Sequence, residues 1–164
     1  MTKEKIVNEV KEQAKALPFK YEAGWTAMPN AIFEIYPFHP KFTAACTNIY
    51  LFLLHRHNAK YGYAFPTQDQ IADALCISRS TVNTSISTLK SLGLIDVERH
   101  PDHDNVVYFM KRPIDNILTF ELQFPEAKAN RLKHEASRES DKQKRHDRQS
   151  QFREKQAAAK AGIL

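Results

Sequence analysis

From Ser78 to Ser91 the chain reads SRSTVNTSISTLKS, a stretch crowded with hydroxyls that carries no carboxylate; the next acidic residue is Asp96. On a helix, Val82, Ile86 and Leu89 fall at i, i+4 and i+7 and mark an inward face. Arg79, Ser80, Thr81, Asn83, Thr84, Ser87 and Lys90 are then left on the outside. A surface helix usually mixes charge signs, and Ser and Thr are poor choices for helix propensity, but the same groups suit an approach to phosphates and base edges. The planar fork of Arg79 matches a guanine edge or a phosphate, and the Asn83 amide matches adenine. The chemistry these residues offer is non-covalent recognition of nucleic acid.

Other chemistries are poorly supplied. His55 and His57 on one helix point about 200° apart and cannot share a metal. His100, Asp102, His103 and Asp104 gather in a turn-rich segment that could attract a cation, but zinc sites usually have better ligands. No glycine-rich phosphate loop, nucleophile elbow or paired-carboxylate constellation is present. No metal, no cofactor and no enzymatic activity are expected. Cys46 and Cys76 lie 30 positions apart in apolar settings and are expected as reduced packing residues, since two cysteines make no disulfide framework.

The recognition segment needs elements to position it, and the pattern around it supplies them. Pro66-Thr67 with Gln70 spells a capping box, predicting a helix that carries Ile71, Ala74 and Leu75. That helix ends at Cys76-Ile77, and Ser78 can cap the next one. Ala72 is the small contact between the two helices, with Ile71, Leu75, Ile77 and Val82 fixing their crossing. Gly93 is placed to end the second helix in a left-handed cap. LIDVERH and VVYFMK then read as two strands joined through Pro101–Asn105. Upstream, Thr43 to His57 is expected as a buried helix through Ala45, Ile49, Phe52 and Leu53, with Tyr50 and Leu54 beside them. Three helices followed by a β-hairpin make a winged helix.

The flanks complete the expected architecture. Thr2 can cap an amphipathic helix with Ile6, Val10, Ala14 and Leu17 on one stripe, stopped by Pro18. Tyr21 to Ala27 reads as a brief strand, and Asn30 as the cap of a short helix through Tyr36. Residues 114–124 fit two patterns. Leu118, Phe120, Leu122 and Phe124 alternate as in a strand, while Ile114, Ile117, Leu118 and Leu122 fit a helix. Beyond Pro125 large apolar residues nearly vanish, leaving either a solvated helix or a segment disordered until an acidic partner binds.

PTQDQIADALCISRSTVNTSISTLKSLGLI resembles the helix-turn-helix region of bacterial winged-helix proteins, especially plasmid and phage replication initiators. GWTAMPNAIF and FTAACTNIYLFLL resemble the strand and first helix that lead into that domain. The resemblance covers about residues 24–112 and is most specific in SRSTV and LKSLGLI. One departure is Cys76, where the turn usually has Gly. The resemblance implies sequence-specific binding of double-stranded DNA, in replication initiation or control or in transcriptional repression. No further helicase-loading domain is expected within 164 residues, which weighs against the initiator. An adaptor for protein partners, and a small nuclease built on His100, Asp102 and His103, are alternatives from other classes.

Charge is partitioned along the chain. Residues 1–125 hold 13 basic and 13 acidic side chains, whereas residues 126–164 hold 11 and 6, so the whole net charge of +5 lies in the tail. This predicts a mainly α protein with a small β-hairpin in three parts. Residues 1–20 are an amphipathic helix, 21–124 a winged helix-turn-helix domain, and 125–164 a basic tail suited to phosphates. The candidate DNA-binding residues are Thr67, Gln68, Ser78, Arg79, Ser80, Thr81, Asn83, Thr84, Ser87 and Lys90, with Arg99, His103 and Lys111 on the hairpin. Expected partners are double-stranded DNA, a second copy of the chain, and replication or regulatory proteins reached through the N-terminal helix or the tail. No apolar run approaches the roughly 18 residues of a membrane span and the first residues are polar, so the chain is expected in the bacterial cytoplasm, at nucleoid or plasmid.

Overall fold

The computed structural model describes residues 17–103 and 105–162. The expected N-terminal helix and its stripe of Ile6, Val10 and Ala14 therefore lie outside the described residues. From Leu17 to Pro29 the chain has no regular structure. The strand expected at Tyr21–Ala27 does not form: among the described residues no neighbouring strand is there to satisfy its backbone groups, Gly24 bends the chain at φ +88°, and Tyr21 and Trp25 stay exposed.

Helix α1 (Ala31–Glu34) is shorter than expected, and Asn30 does not cap it with its side chain. Asn30 is itself helical, and its backbone carbonyl accepts from Phe33 and Glu34 at 2.9 and 3.0 Å. Pro37 then sits in a 3-10 turn, Tyr36–Phe38, which buries the Tyr36 ring against Phe42 and Phe120. The Tyr36 hydroxyl accepts from the Ile114 amide at 3.0 Å, tying this turn to the segment after the hairpin.

Helix α2 (Ala44–Arg56) crosses the core with Cys46, Ile49, Tyr50 and Leu53 buried. Cys46 takes the inner place expected of Ala45, which is only half-buried, and both cysteines are free thiols. Burial pushes the Tyr50 hydroxyl up to about 12, with nearby Tyr36 adding to it.

After α2 the Asn58 side chain accepts from the amides of Lys60 and Tyr61 and folds the chain back, with Gly62 at φ +80°. Ala64 pairs with Tyr108 through two backbone bonds of 2.9 and 2.8 Å. This single bridge ties the segment after α2 to the hairpin.

Helix α3 (Gln68–Leu75) begins with the complete capping box: Thr67 Oγ1 accepts from the Gln70 amide at 3.1 Å, and Gln70 Oε1 accepts from the Thr67 amide at 2.9 Å. It ends in a left-handed residue, Cys76, at φ 52°, ψ 44°. The turn thus has the geometry that glycine usually supplies, held without glycine by the Ile77 amide donating to Ala72 O at 3.0 Å.

Ser78 caps α4 (Arg79–Ser91), which buries Val82, Ser85, Ile86, Thr88 and Leu89 against α2, α3 and the hairpin. Gly93, at φ +69°, closes it as the sequence predicts.

Strands β1 (Ile95–Arg99) and β2 (Val106–Met110) pair antiparallel from Ile95↔Met110 to Arg99↔Val106. The ambiguous segment becomes helix α5 (Ile117–Gln123), capped by Asn116 through the Thr119 amide at 3.0 Å. Phe120 and Glu121 are buried and Ile117 and Phe124 half-buried, so Leu118 and Leu122, expected to face inward on a helical reading, are 72% and 85% exposed.

From Pro125 to Lys160 the tail is one helix, α6, of 36 residues and about 54 Å. Its first turns dock on the domain. Ala127 is buried, Asn130 donates to Phe38 O at 2.9 Å, and Glu126 meets the buried His39 at 3.0 Å. Arg131 grips the buried Glu121 carboxylate through Nε and Nη2. Further on, α6 is exposed over nearly its whole length. Among the described residues no helix is long and apolar enough to cross a membrane.

Candidate nucleic-acid interface

Two caps and one left-handed turn aim α4. The Thr67 box fixes where α3 starts, Cys76 fixes the angle at which the chain leaves it, and Ser78 Oγ accepts from the Thr81 amide at 3.1 Å to start α4. With Val82, Ile86 and Leu89 locked in the core, Arg79, Ser80, Asn83, Thr84, Ser87 and Lys90 are exposed together along the outer face. No carboxylate lies within α4 itself.

The structure sorts the expected residues by the work their side chains already do. Thr67, Ser78 and Thr81 are engaged in capping: the Ser78 and Thr81 hydroxyls lie 2.8 Å apart. Gln68 is half-buried at the start of α3. Thr84 Oγ1 donates to Ser80 O at 3.0 Å, as does Thr88 to Thr84 one turn later, which quiets both hydroxyls against the helix backbone. Ser80, Asn83, Ser87 and Lys90 are the exposed polar groups that remain.

Arg79 has an acidic neighbour that the sequence pattern did not single out. Its Nη1 lies 3.2 Å from Asp69 Oδ1 on α3, with both side chains about two-thirds exposed. In water such a pair is weak.

On the hairpin the expected residues are spread out. Arg99 ends β1, and His103 stacks on His100 at the tip with ring centroids 4.8 Å apart. Lys111 sits at the root instead, 2.9 Å from Asp96. His100 accepts at Nδ1 from the Asp102 amide at 3.2 Å, and among the described residues no group of His, Cys, Asp and Glu is arranged to hold a metal.

Two features were not legible in the sequence pattern. One is Asp69, ten residues from Arg79 in the chain. The other is an aromatic cleft beside the hairpin formed by Tyr61, Tyr63 and Phe65, whose period-two spacing was the available clue. On α6, Arg138, Lys142, Arg145, Arg153 and Lys160 fall within about 80° of one face, with no Asp or Glu in that arc beyond Glu135. The exposed pairs Glu139–Lys142 and Asp141–Lys144, at 3.8 and 3.7 Å, flank it.

Helices α2 to α4 with the hairpin define a winged helix-turn-helix protein. In agreement, residues 44–95 match the model of a helix-turn-helix domain family, over about a third of the chain. No curated protein matches the sequence. Among solved structures, Lactococcus lactis ZitR, a zinc-responsive MarR family member, is 18% identical with a TM-score of 0.34, covering 85% of this chain and 78% of its own. A ZitR mutant in complex with DNA is 17% identical with a TM-score of 0.36, covering 85% and 77%. At these scores the likeness carries no conclusion, and the fold assignment rests on the elements described above.

Proposed function

We propose that this chain binds double-stranded DNA with sequence preference, placing α4 in the major groove and the hairpin against the neighbouring backbone, to regulate transcription or the initiation of replication. The observation that carries the reading is the outer face of α4: exposed Arg79, Ser80, Asn83, Ser87 and Lys90 with no carboxylate in the helix, on a capped helix-turn-helix. The body of residues 21–124 supplies the readout, and the basic extension 125–164 adds phosphate contacts without choosing sequence. Both processes use the same groove contacts. A single reading helix covers few base pairs, so the functional form is a homodimer on paired half-sites.

Selection of bound duplexes from a random pool tests this. A recovered motif repeated at about one helical turn supports a dimer reading DNA. An unenriched pool, with no salt-dependent binding to any duplex, favours an adaptor for protein partners instead.

A further inference from the structure

Tyr61, Tyr63 and Phe65 alternate around Ala64, which is buried and pinned to Tyr108 by its two backbone bonds. The alternation throws Tyr63 and Phe65 to the face opposite Ala64. Tyr61 and Tyr63 lie nearly parallel, with centroids 5.9 Å apart and 20° between planes, and Phe65 meets them edge-on at 6.3 and 6.2 Å. Facing them at the hairpin tip, the His100 and His103 rings stack at 21°, and His100 reaches Tyr63 at 6.1 Å. Between the two walls is a cavity of about 330 Å³, closed by Val107 and bordered by Asn105.

The rings are not consumed in packing, since Tyr61 and Phe65 remain 54% and 47% exposed. Among the described residues the cleft lining combines flat aromatic faces with imidazole and amide edges and includes no carboxylate. An exposed cation, Lys60, directly precedes Tyr61 in the chain. Flat π surfaces, hydrogen-bonding edges and flanking positive charge together match a nucleobase on a phosphodiester strand. A paired base inside a duplex shows only its edges in the grooves, its faces being covered by its neighbours. A stacking cleft therefore requires a base that has left the stack.

We propose that this cleft stacks an unpaired base of DNA, so that the protein holds a locally opened strand next to the duplex segment contacted by α4. The inference rests on the duplex-binding reading and extends it from recognition to the capture of opened DNA.

The full-length protein is titrated, by fluorescence anisotropy, with its selected duplex and with the same duplex carrying a short unpaired bubble beside the site. The parent should bind the bubbled DNA roughly tenfold more tightly. Tyr61→Ala and Phe65→Ala should erase that gain and keep duplex affinity, while Tyr61→Phe, which retains the ring, should preserve it. Equal affinity for the two DNAs, or a gain that survives both alanine variants, overturns the cleft and leaves duplex reading intact. Failure to bind any duplex overturns both. Tighter binding of a free mononucleotide than of the bubble makes the occupant a small molecule and also overturns the proposal.

Discussion

Asp69 on α3 holds the guanidinium of Arg79 across the helix-turn-helix, with Nη1 at 3.2 Å from one carboxylate oxygen and 3.3 Å from the other. The cation best placed at the start of α4 is thus paired with a carboxylate that it must leave to reach a base edge. An exposed pair of this kind is worth little in the free protein, yet the carboxylate repels a DNA backbone. Asp69→Asn should raise affinity for duplex DNA about two- to fivefold, the range of such surface pairs, with folding stability nearly unchanged. Unaltered affinity in a titration at low salt would show that Asp69 lies away from the phosphates.

Reading and attraction should separate on α4. Arg79→Ala and Asn83→Ala should each flatten preference at one base pair, at a cost of about 1–3 kcal/mol for the matched site, leaving non-specific binding nearly constant. Lys90→Ala should weaken all sequences alike. Competition assays with single-base variants of the selected site, on proteins that melt with the parent, decide it. Parental discrimination in both Arg79→Ala and Asn83→Ala would remove α4 as the reading element.

The extended part of α6 should add affinity without selectivity. Cutting the chain after Phe124 would strip Arg131 from the buried Glu121 carboxylate and Glu126 from His39, mixing a folding defect into the result. A chain ending at Ser137 keeps those interactions and removes eight basic and four acidic side chains. Its plot of log affinity against log salt should be shallower, by about 0.9 for each phosphate that α6 no longer neutralises, with the same preferred site. An identical slope would leave α6 a solvated spacer.

The clasp between α5 and α6 should be acid-sensitive. Hydrogen bonds from Arg131 hold the Glu121 carboxyl below the ordinary Glu value of 4.5; burial opposes them, and the charges of Arg131 and Lys128 assist. A carboxyl lowered in the folded state contributes its full stability above the unfolded value and loses it as pH falls through the folded one. Between about pH 5 and pH 3, the parent should therefore lose more melting temperature than Glu121→Gln, while at neutral pH Glu121→Gln should be the less stable. Asp115 and Glu126 are lowered in both proteins, so the difference isolates Glu121. Parallel pH profiles would mean the clasp contributes nothing.

Cys76 adopts the left-handed conformation at φ 52° with a Cβ, which costs more than it would for glycine. Cys76→Gly should stabilise the domain by about 1 kcal/mol, the relief of strain exceeding the entropy glycine loses on folding. Thermal melting under reducing conditions measures it, and a destabilised variant would show that the exposed thiol contributes packing that outweighs the strain.

Much of this molecule is legible locally. The Thr67–Gln70 box, the Ser78 cap, the Val82–Ile86–Leu89 stripe and Gly93 act through bonds and spacings only a few residues long, so the sequence alone determines where α3 and α4 start, which face of α4 is buried and which is exposed. The apolar, β-branched runs of the hairpin and the turn residues between them are equally local. Other features needed the fold. Residues 114–124 satisfy both periodicities, and the choice of helix comes from Tyr36, whose ring takes Phe120 at a centroid distance of 4.7 Å, with no strand alongside among the described residues. Tyr21–Ala27 has strand-forming residues and no partner strand among the described residues, so its propensity goes unused. Asp69 meets Arg79, and Tyr63 meets His100, only because the left-handed turn at Cys76 and the Ala64–Tyr108 bridge bring distant segments together. Periodicity tells which side of an element faces inward, but which elements become neighbours is decided by how their buried faces fit in three dimensions.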